Sequence, residues 1–173
     1  HVAIGLDRPD DAAVILPSPG HPLTVTVDYF SSPLDDPYFL GRIAALHAAS
    51  DLFAFGARPI AALAMATIPE GSPRKQEQLL YEILSGSLRE LRAMNATLVG
   101  GHTIEGPELT VGFTMLADQG AVAPRTKSGL RVGDRLVLTK PLGTGVLLAA
   151  HQQAACRAAW MESLQATMLQ SNQ

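Results

Sequence analysis

The chain has 173 residues, with 13 Lys and Arg against 16 Asp and Glu, so its formal net charge is −3. Hydrophobic residues make up 47% and charged residues 17%, which excludes a disordered tail. The sequence shows no Lys/Arg cluster, so a nucleic-acid partner is not expected. A single cysteine excludes an internal disulfide and predicts a reducing, cytoplasmic compartment. No apolar run reaches the roughly 18 residues of a membrane span, so no membrane partner is expected either.

Strand and helix signals alternate from the start of the chain. Two short strands, Ala12–Leu16 and Leu23–Val27, are separated by a turn rich in proline and glycine. Asp36 and Pro37 predict the start of a helix, as N-cap and first helical residue. Gly56 predicts its end in a left-handed conformation.

The pattern continues with strands around a second helix. The uniformly apolar segment Ile60–Ile68 predicts a buried strand, and a helix follows from Ser72 to about Met94. A polar connection over Val122–Asp134 and a helical pattern over Gly145–Ser171 complete the chain. Three further strands are predicted, at Thr97–Val99, Leu109–Ala117 and Arg135–Thr139.

This order predicts one domain of the α/β or α+β class over residues 1–140, with a mixed sheet flanked by helices. Residues 141–173 are expected to begin a second, helical domain that is truncated. Because the chain starts at His1 and not at a methionine, a preceding segment is expected to be missing. The strands carry more apolar surface than two helices can cover, so a homodimer is expected.

Three aspartates stand where strands or helices begin or end. Asp11 directly precedes the first apolar run, Asp28 ends the second strand, and Asp51 lies in the last turns of the first helix. The helix dipole disfavours a carboxylate at that end by roughly 0.3–1 kcal/mol unless a cation compensates. Either each aspartate is a cap or turn former, or the three share a Mg²⁺ site, since magnesium prefers oxygen ligands. Spacing alone favours the first interpretation.

A glycine pair forms the second candidate site. A strand that runs into Gly100 and Gly101 exposes main-chain N–H groups, and Thr103 adds a hydroxyl, so the segment could cradle phosphate oxygens. A glycine pair alone typically marks only a tight turn, and His102 is either a phosphate donor or a loop residue. The three acidic positions strengthen the phosphate interpretation, because carboxylates face a nucleoside triphosphate only through bridging cations.

Two other reactive residues have simpler interpretations. Lys140 stands at the end of a predicted strand, where it either contacts phosphate or is solvated. Cys156 lies in the helical tail and is interpreted as a small structural residue.

Seven segments occur in the order and spacing of the selenophosphate synthetases, which the chain resembles over nearly its whole length. They are Asp10–Val14, Thr26–Phe30, Asp35–Tyr38, Gly41–Ala45, Ala49–Gly56, Gly100–Thr103 and Thr139–Gly145. The resemblance implies the fold of the N-terminal domain of aminoimidazole ribonucleotide synthetase, a half-barrel that dimerises through its sheet. It also implies the reaction in which ATP, selenide and water give selenophosphate, phosphate and AMP.

The resemblance further implies roles for individual residues. Asp11, Asp28 and Asp51 would hold Mg²⁺ against the ATP phosphates. Five residues would line the nucleotide or phosphate path: Thr26, Gly100, Gly101, His102 and Thr103.

The chain departs from the family pattern in three places. The family's catalytic cysteine or selenocysteine and its lysine lie upstream of His1, and an acidic motif of the C-terminal domain lies downstream of Gln173. Asp7 stands where many members carry glycine. The chain is therefore expected to be the Mg-ATP-binding part of the enzyme and inactive alone. The alternative is a non-catalytic nucleotide-binding and dimerisation module of a related or fused protein.

Overall fold

The structure, a computed structural model, describes residues 1–120 and 123–173. Among these residues no helix combines the length and the apolar character that crossing a bilayer requires. The described residues form six strands and four helices: β1 (Val2–Ile4), β2 (Ala13–Ser18), β3 (His21–Ser31), α1 (Pro37–Ala54), β4 (Arg58–Pro69), α2 (Pro73–Ala93), β5 (Thr97–Gly106), β6 (Thr110–Asp118), α3 (Thr144–Gln152) and α4 (Ala158–Met168).

The strands form one mixed sheet in the order β1-β2-β3-β6-β4-β5. Neighbouring strands are antiparallel except β4 and β5, which run parallel because α2 connects them. β6 is the last strand in sequence, yet it lies between β3 and β4 and pairs with both. Within the described residues the sheet is open, with β1 and β5 at its edges. The predicted mixed sheet with flanking helices is confirmed.

The helices α1 and α2 cover one face of the sheet, and the core lies between them and the strands. Leu40 and Leu52 of α1 are fully buried there, as are Phe113 and Met115 of β6. Burying each such side chain contributes about 1.5–3 kcal/mol.

Two glycines let the main chains of α1 and α2 touch. A Cβ at Gly41 would lie 2.0 Å from the carbonyl oxygen of Ile83, and one at Gly86 would lie 2.1 Å from that of Tyr38. No larger residue fits at either position, so the spacing of the two helices depends on both glycines.

The local signals at the ends of α1 are confirmed. Asp36 Oδ1 accepts a hydrogen bond from the main-chain N–H of Phe39 at 2.8 Å, and Pro37 is the first helical residue. Gly56 follows the helix with a φ of 75°, in the left-handed region that favours glycine.

Two predictions about strands are wrong. The segment Arg135–Thr139 is irregular and exposed, and no described strand pairs with it, so its main-chain groups have no sheet to join. The strand predicted to stop at Val99 continues through the glycine pair to Gly106, because β4 pairs with it along that length. Of the predicted connection 122–134, Val122 lies outside the described residues.

The face of the sheet opposite the helices carries apolar side chains in water. Val27 and Tyr29 of β3 and Ile60, Leu63 and Met65 of β4 are all exposed, Val27 to 57%. We call these five residues the open face. Across β6, Val27 is in register with Leu63 and Tyr29 with Met65, so the patch is continuous.

The described chain divides into two compact units. Residues 1–128 and 172–173 contain the sheet with α1 and α2. Residues 129–171 contain α3 and α4, which contact each other, so the predicted helical pattern of Gly145–Ser171 forms two helices. The predicted division of the protein into domains at residue 140 stays a prediction.

Candidate functional site

The buried side chain of Thr26 joins two of the predicted metal-binding aspartates. Its hydroxyl donates to Asp51 Oδ2 at 2.9 Å and lies 3.5 Å from the main-chain carbonyl oxygen of Asp11. Asp51 belongs to the last turn of α1, and Asp11 directly precedes β2, the strand beside β3. The structure therefore brings these three residues together where β2, β3 and α1 meet.

Asp28 lies two positions after Thr26 on β3, so its side chain emerges on the same face of the sheet. Burial raises the pKa of Asp28 above its ordinary value of 3.8, and the charge of Asp51 raises it further. Asp28 and Asp51 thus interact electrostatically. We call Asp11, Asp28 and Asp51 the acidic cluster.

The pKa of Asp51 responds to four influences. Burial raises this pKa most, and the hydrogen bond from Thr26 lowers it. The charge of Asp11 raises it, the charge of Lys127 lowers it, and the net result is a pKa above 3.8. A cation bound beside Asp51 would favour its ionised form.

Lys127 already provides one positive charge to the acidic cluster. Its Nζ lies 2.5 Å from Asp11 Oδ1, and its main-chain N–H donates to Asp10 Oδ2 at 3.1 Å. The hydrogen bond to Asp11 raises the pKa of Lys127, and the charges of Asp11, Asp10 and Asp51 add to the rise. The sequence does not single out this residue, because a lysine in a polar connection carries no local signal of its distant partner Asp11.

The carboxylate oxygens of the acidic cluster are ligands of the type that fits Mg²⁺, although they do not form a closed ligand shell. Within residues 1–120 and 123–173, no three His, Cys, Asp or Glu side chains are arranged to hold a metal ion. Magnesium retains several waters and is usually bound through one or two carboxylates together with phosphates. Asp28 and Asp51, two interacting carboxylates with the Thr26 hydroxyl bonded to one of them, meet that requirement.

The predicted phosphate segment lies elsewhere on the sheet. Gly100, Gly101, His102 and Thr103 belong to the edge strand β5 and line a cleft of about 510 Å³ that Leu80 and Leu84 of α2 also line. Gly101 is in register with Asp28 through two intervening strands. Three strand spacings separate them by about 14 Å. Within one chain, the acidic cluster and this cleft are thus separate.

The glycine pair has a packing role that its sequence does not reveal. A Cβ at Gly101 would lie 2.0 Å from the carbonyl oxygen of Ala64 on β4, whereas one at Gly100 would meet only Leu63 Cδ2 at 3.4 Å. Gly101 is therefore required for the close pairing of β4 and β5. His102 lines a second hollow of about 270 Å³ together with Tyr29 and Met65 of the open face.

Lys140 and Cys156 both lie in the unit of residues 129–171. The Lys140 ammonium donates to the main-chain carbonyl oxygen of Gln170. Cys156 Sγ lies 3.6 Å from the carbonyl oxygen of Arg157. Neither contact points to a catalytic role.

Comparison with known proteins agrees with this fold and with the predicted resemblance. The family described as AIR synthase related protein, N-terminal domain, matches residues 9–118, and the chain belongs to this family. The matched segment contains the acidic cluster and the four residues of the β5 cleft.

Curated relatives identify the branch of the family to which the chain is similar. It is 42% identical over 151 residues to the selenide, water dikinase of Nitratidesulfovibrio vulgaris, covering 86% of this chain and 42% of the relative. It is 40% identical over 172 residues to that of Desulfitobacterium hafniense, covering 98% of this chain and 49% of the relative. The chain thus spans less than half the length of these relatives.

A solved structure supports the same architecture. The thiamine-monophosphate kinase of Stenotrophomonas maltophilia superposes with a TM-score of 0.74 at 26% identity. The match covers 97% of this chain and 55% of that one.

Proposed function

We propose that this chain is the Mg-ATP-binding part of an enzyme that makes selenophosphate, in a reaction where ATP, selenide and water give selenophosphate, phosphate and AMP. The similarity to curated selenide, water dikinases supports this class of reaction. The observation that carries the proposal for this chain's own residues is the hydrogen bond from Thr26 to Asp51, which fixes one carboxylate beside Asp11. We further propose that the enzyme works in the cytoplasm.

In this proposal Asp11, Asp28 and Asp51 hold Mg²⁺. When bound, the ion supplies positive charge that offsets the charge of the ATP phosphates, and such neutralisation provides much of phosphoryl-transfer catalysis. Thr26 holds the Asp51 side chain in one orientation. The raised pKa values of Asp28 and Asp51 are consistent with a cluster that gains stability from a cation.

The nucleotide path in this proposal is lined by Thr26 at the acidic cluster and by Gly100, Gly101, His102 and Thr103 at the β5 cleft. β5 is an edge strand of the described sheet, so one side of its main chain faces away from the other strands. Outward-facing N–H groups there would donate to phosphate oxygens.

We also propose that the protein is a homodimer in which the open faces of two copies cover each other. The five apolar residues of the open face form one continuous exposed patch. Patches of this kind on soluble proteins typically mark interaction surfaces.

A non-catalytic nucleotide-binding and dimerisation module is the second candidate. The chain spans only 42% and 49% of the two relatives. This candidate shares the predicted nucleotide binding but lacks the chemistry of the whole enzyme.

Calorimetric titration of Mg-ATP into the wild-type chain and into Asp51→Asn tests the proposed binding. The amide keeps the shape of the side chain but removes its charge, so the variant should lose Mg-dependent binding while keeping its fold. Asp35→Asn, at an exposed turn, is the matched control. Equal Mg-ATP affinity in wild type and Asp51→Asn would reject the metal role.

Release of AMP in the presence of selenide distinguishes the two candidates. The protein extended to the full length of its relatives should form AMP, and the chain alone should not, because phosphoryl transfer depends on complete positioning of its charges. Failure of the extended protein to form AMP would favour the non-catalytic module. Selenide-stimulated AMP from the chain alone, lost in Asp51→Asn, would reject the assignment of catalysis to other parts of the enzyme.

A further inference from the structure

The ammonium group of Lys127 contacts Asp11 Oδ1, a carboxylate oxygen that would ligate a metal ion bound in the acidic cluster. Its Nζ lies 2.5 Å from Asp11 Oδ1. The charge of Lys127 also acts on Asp51, so its influence extends beyond the one carboxylate that it touches. A lysine and a divalent cation compete for this oxygen, because like charges repel each other strongly at such short distances.

Hydrogen bonds from main-chain N–H groups hold the segment around Lys127 beside the acidic cluster. The N–H of Arg125 donates to the carbonyl oxygen of Phe55, just after α1, at 3.1 Å. The N–H of Lys127 donates to Asp10 Oδ2 at 3.1 Å. The segment that carries Lys127 is thus attached at both the α1 side and the β2 side of the acidic cluster.

The ion pair itself is accessible to water. The side chain of Lys127 is 62% exposed and that of Asp11 is 33% exposed. Ion pairs with such exposure contribute little to stability and exchange readily with ions from solution. The Lys127 side chain can therefore leave Asp11 without unfolding the chain.

We propose that Lys127 is an internal counter-cation that competes with the divalent cation for Asp11 and thereby sets the cation concentration at which the acidic cluster fills. This inference rests on the proposed metal role of the acidic cluster. Lys127 acts here as a positioning residue for the carboxylates and not as a catalytic one. Removing its charge should strengthen divalent cation binding, whereas a residue that helped to build the metal site would weaken it when removed.

The test is titration of Mn²⁺ alone, followed by electron paramagnetic resonance, with Mg²⁺ then added as competitor. Lys127→Met removes the charge and keeps most of the apolar stem, and we expect it to bind Mn²⁺ about threefold more tightly, because an ion pair this exposed is weak. Lys127→Arg keeps the charge and should bind like wild type. Lys75→Met, on α2, makes the same change in net charge away from the cluster and should also bind like wild type.

The outcomes separate this inference from the proposed function. Unchanged or weaker Mn²⁺ binding by Lys127→Met, with binding lost in Asp51→Asn, overturns the competition and leaves the metal role intact. Tighter binding by Lys127→Met with unchanged binding by Asp51→Asn supports competition at Asp11 and rejects the role of Asp51. Absence of Mn²⁺ binding in every variant, or equal tightening in Lys75→Met, overturns the inference. Circular dichroism of each variant confirms that the fold is retained.

Discussion

Thr26 on β3 donates its hydroxyl hydrogen to Asp51 in the last turn of α1, at 2.9 Å, although the two residues are 25 positions apart in sequence. A carboxylate at this end of a helix faces the negative end of the helix dipole. The hydrogen bond lowers the pKa of Asp51 and so partly offsets the rise that burial causes. One hydroxyl on the sheet thus helps to keep a helix carboxylate ionised.

Replacing Thr26 by valine should destabilise the chain and raise the pKa of Asp51 further. Valine has nearly the same shape but leaves the part-buried carboxylate without this donor, which costs about 1–3 kcal/mol. Urea unfolding measures the free energy, and NMR titration of the Asp51 carboxyl measures the pKa. Thr26→Ser keeps the hydroxyl, so its free energy of unfolding and its Asp51 pKa should stay close to those of wild type. A valine variant as stable as wild type, with the same Asp51 pKa, would contradict this role.

Replacing Asp28 by asparagine should stabilise the chain at neutral pH in the absence of divalent cations. The pKa of Asp28 is raised above 3.8 in the folded state, so the folded chain binds this proton more tightly than the unfolded chain. Stability therefore falls as the pH rises from 3.8 through the raised pKa. The asparagine variant does not lose this stability. The difference in unfolding free energy between the variant and wild type should therefore shrink as the pH falls below 3.8.

The measurement for Asp28→Asn is urea unfolding as a function of pH. Asp35→Asn, at an exposed turn, should show no comparable advantage. Added Mg²⁺ should favour wild type, because the ion stabilises the ionised carboxylate. An asparagine variant that is less stable than wild type at neutral pH without divalent cations would show that the charge of Asp28 has a stabilising partner.

Replacing Gly101 by alanine should destabilise the pairing of β5 with β4. The new Cβ would lie 2.0 Å from the carbonyl oxygen of Ala64, so the edge strand must shift. Steric overpacking of this kind costs about 1–3 kcal/mol. Gly100→Ala is the matched control, because its Cβ would only meet the end of the Leu63 side chain at 3.4 Å. Equal stability of the two alanine variants by urea unfolding would argue against this packing role.

Replacing Met65 by glutamate should convert the proposed homodimer to a monomer. Met65 lies in the open face and is 41% exposed, so the charge is tolerated in a monomer but is costly when covered by a second copy. Light scattering should give near twice 18.3 kDa for wild type and 18.3 kDa for the variant. Tyr81→Glu, on the exposed side of α2, should remain dimeric. A monomeric wild-type chain at micromolar concentration would reject the dimer.

The parts of the fold that were predicted correctly are those with local causes. Asp36 and Gly56 act on main-chain groups within a few residues, so the sequence is sufficient to place both ends of α1. The sequence does not reveal that the glycine pair lies inside a strand, because the reason for Gly101 is the carbonyl oxygen of Ala64, on a strand more than 30 positions earlier. The position of Lys127 beside Asp11 likewise depends on tertiary contacts alone.

The place of β6 in the sheet has a consequence for how the chain is made. β3 can pair with β2, and β4 with β5, before β6 is synthesised, but β3 and β4 do not pair with each other and are joined only through β6. On the ribosome, the sheet therefore stays divided into two parts, β1-β2-β3 and β4-β5, until residue 118 has left the exit tunnel, and the edges of β3 and β4 that face β6 stay unpaired until then. Long-range pairing of this kind slows folding and exposes segments that aggregate. We expect nascent chains that end before Asp118 to require chaperones that bind exposed apolar segments and prevent their aggregation.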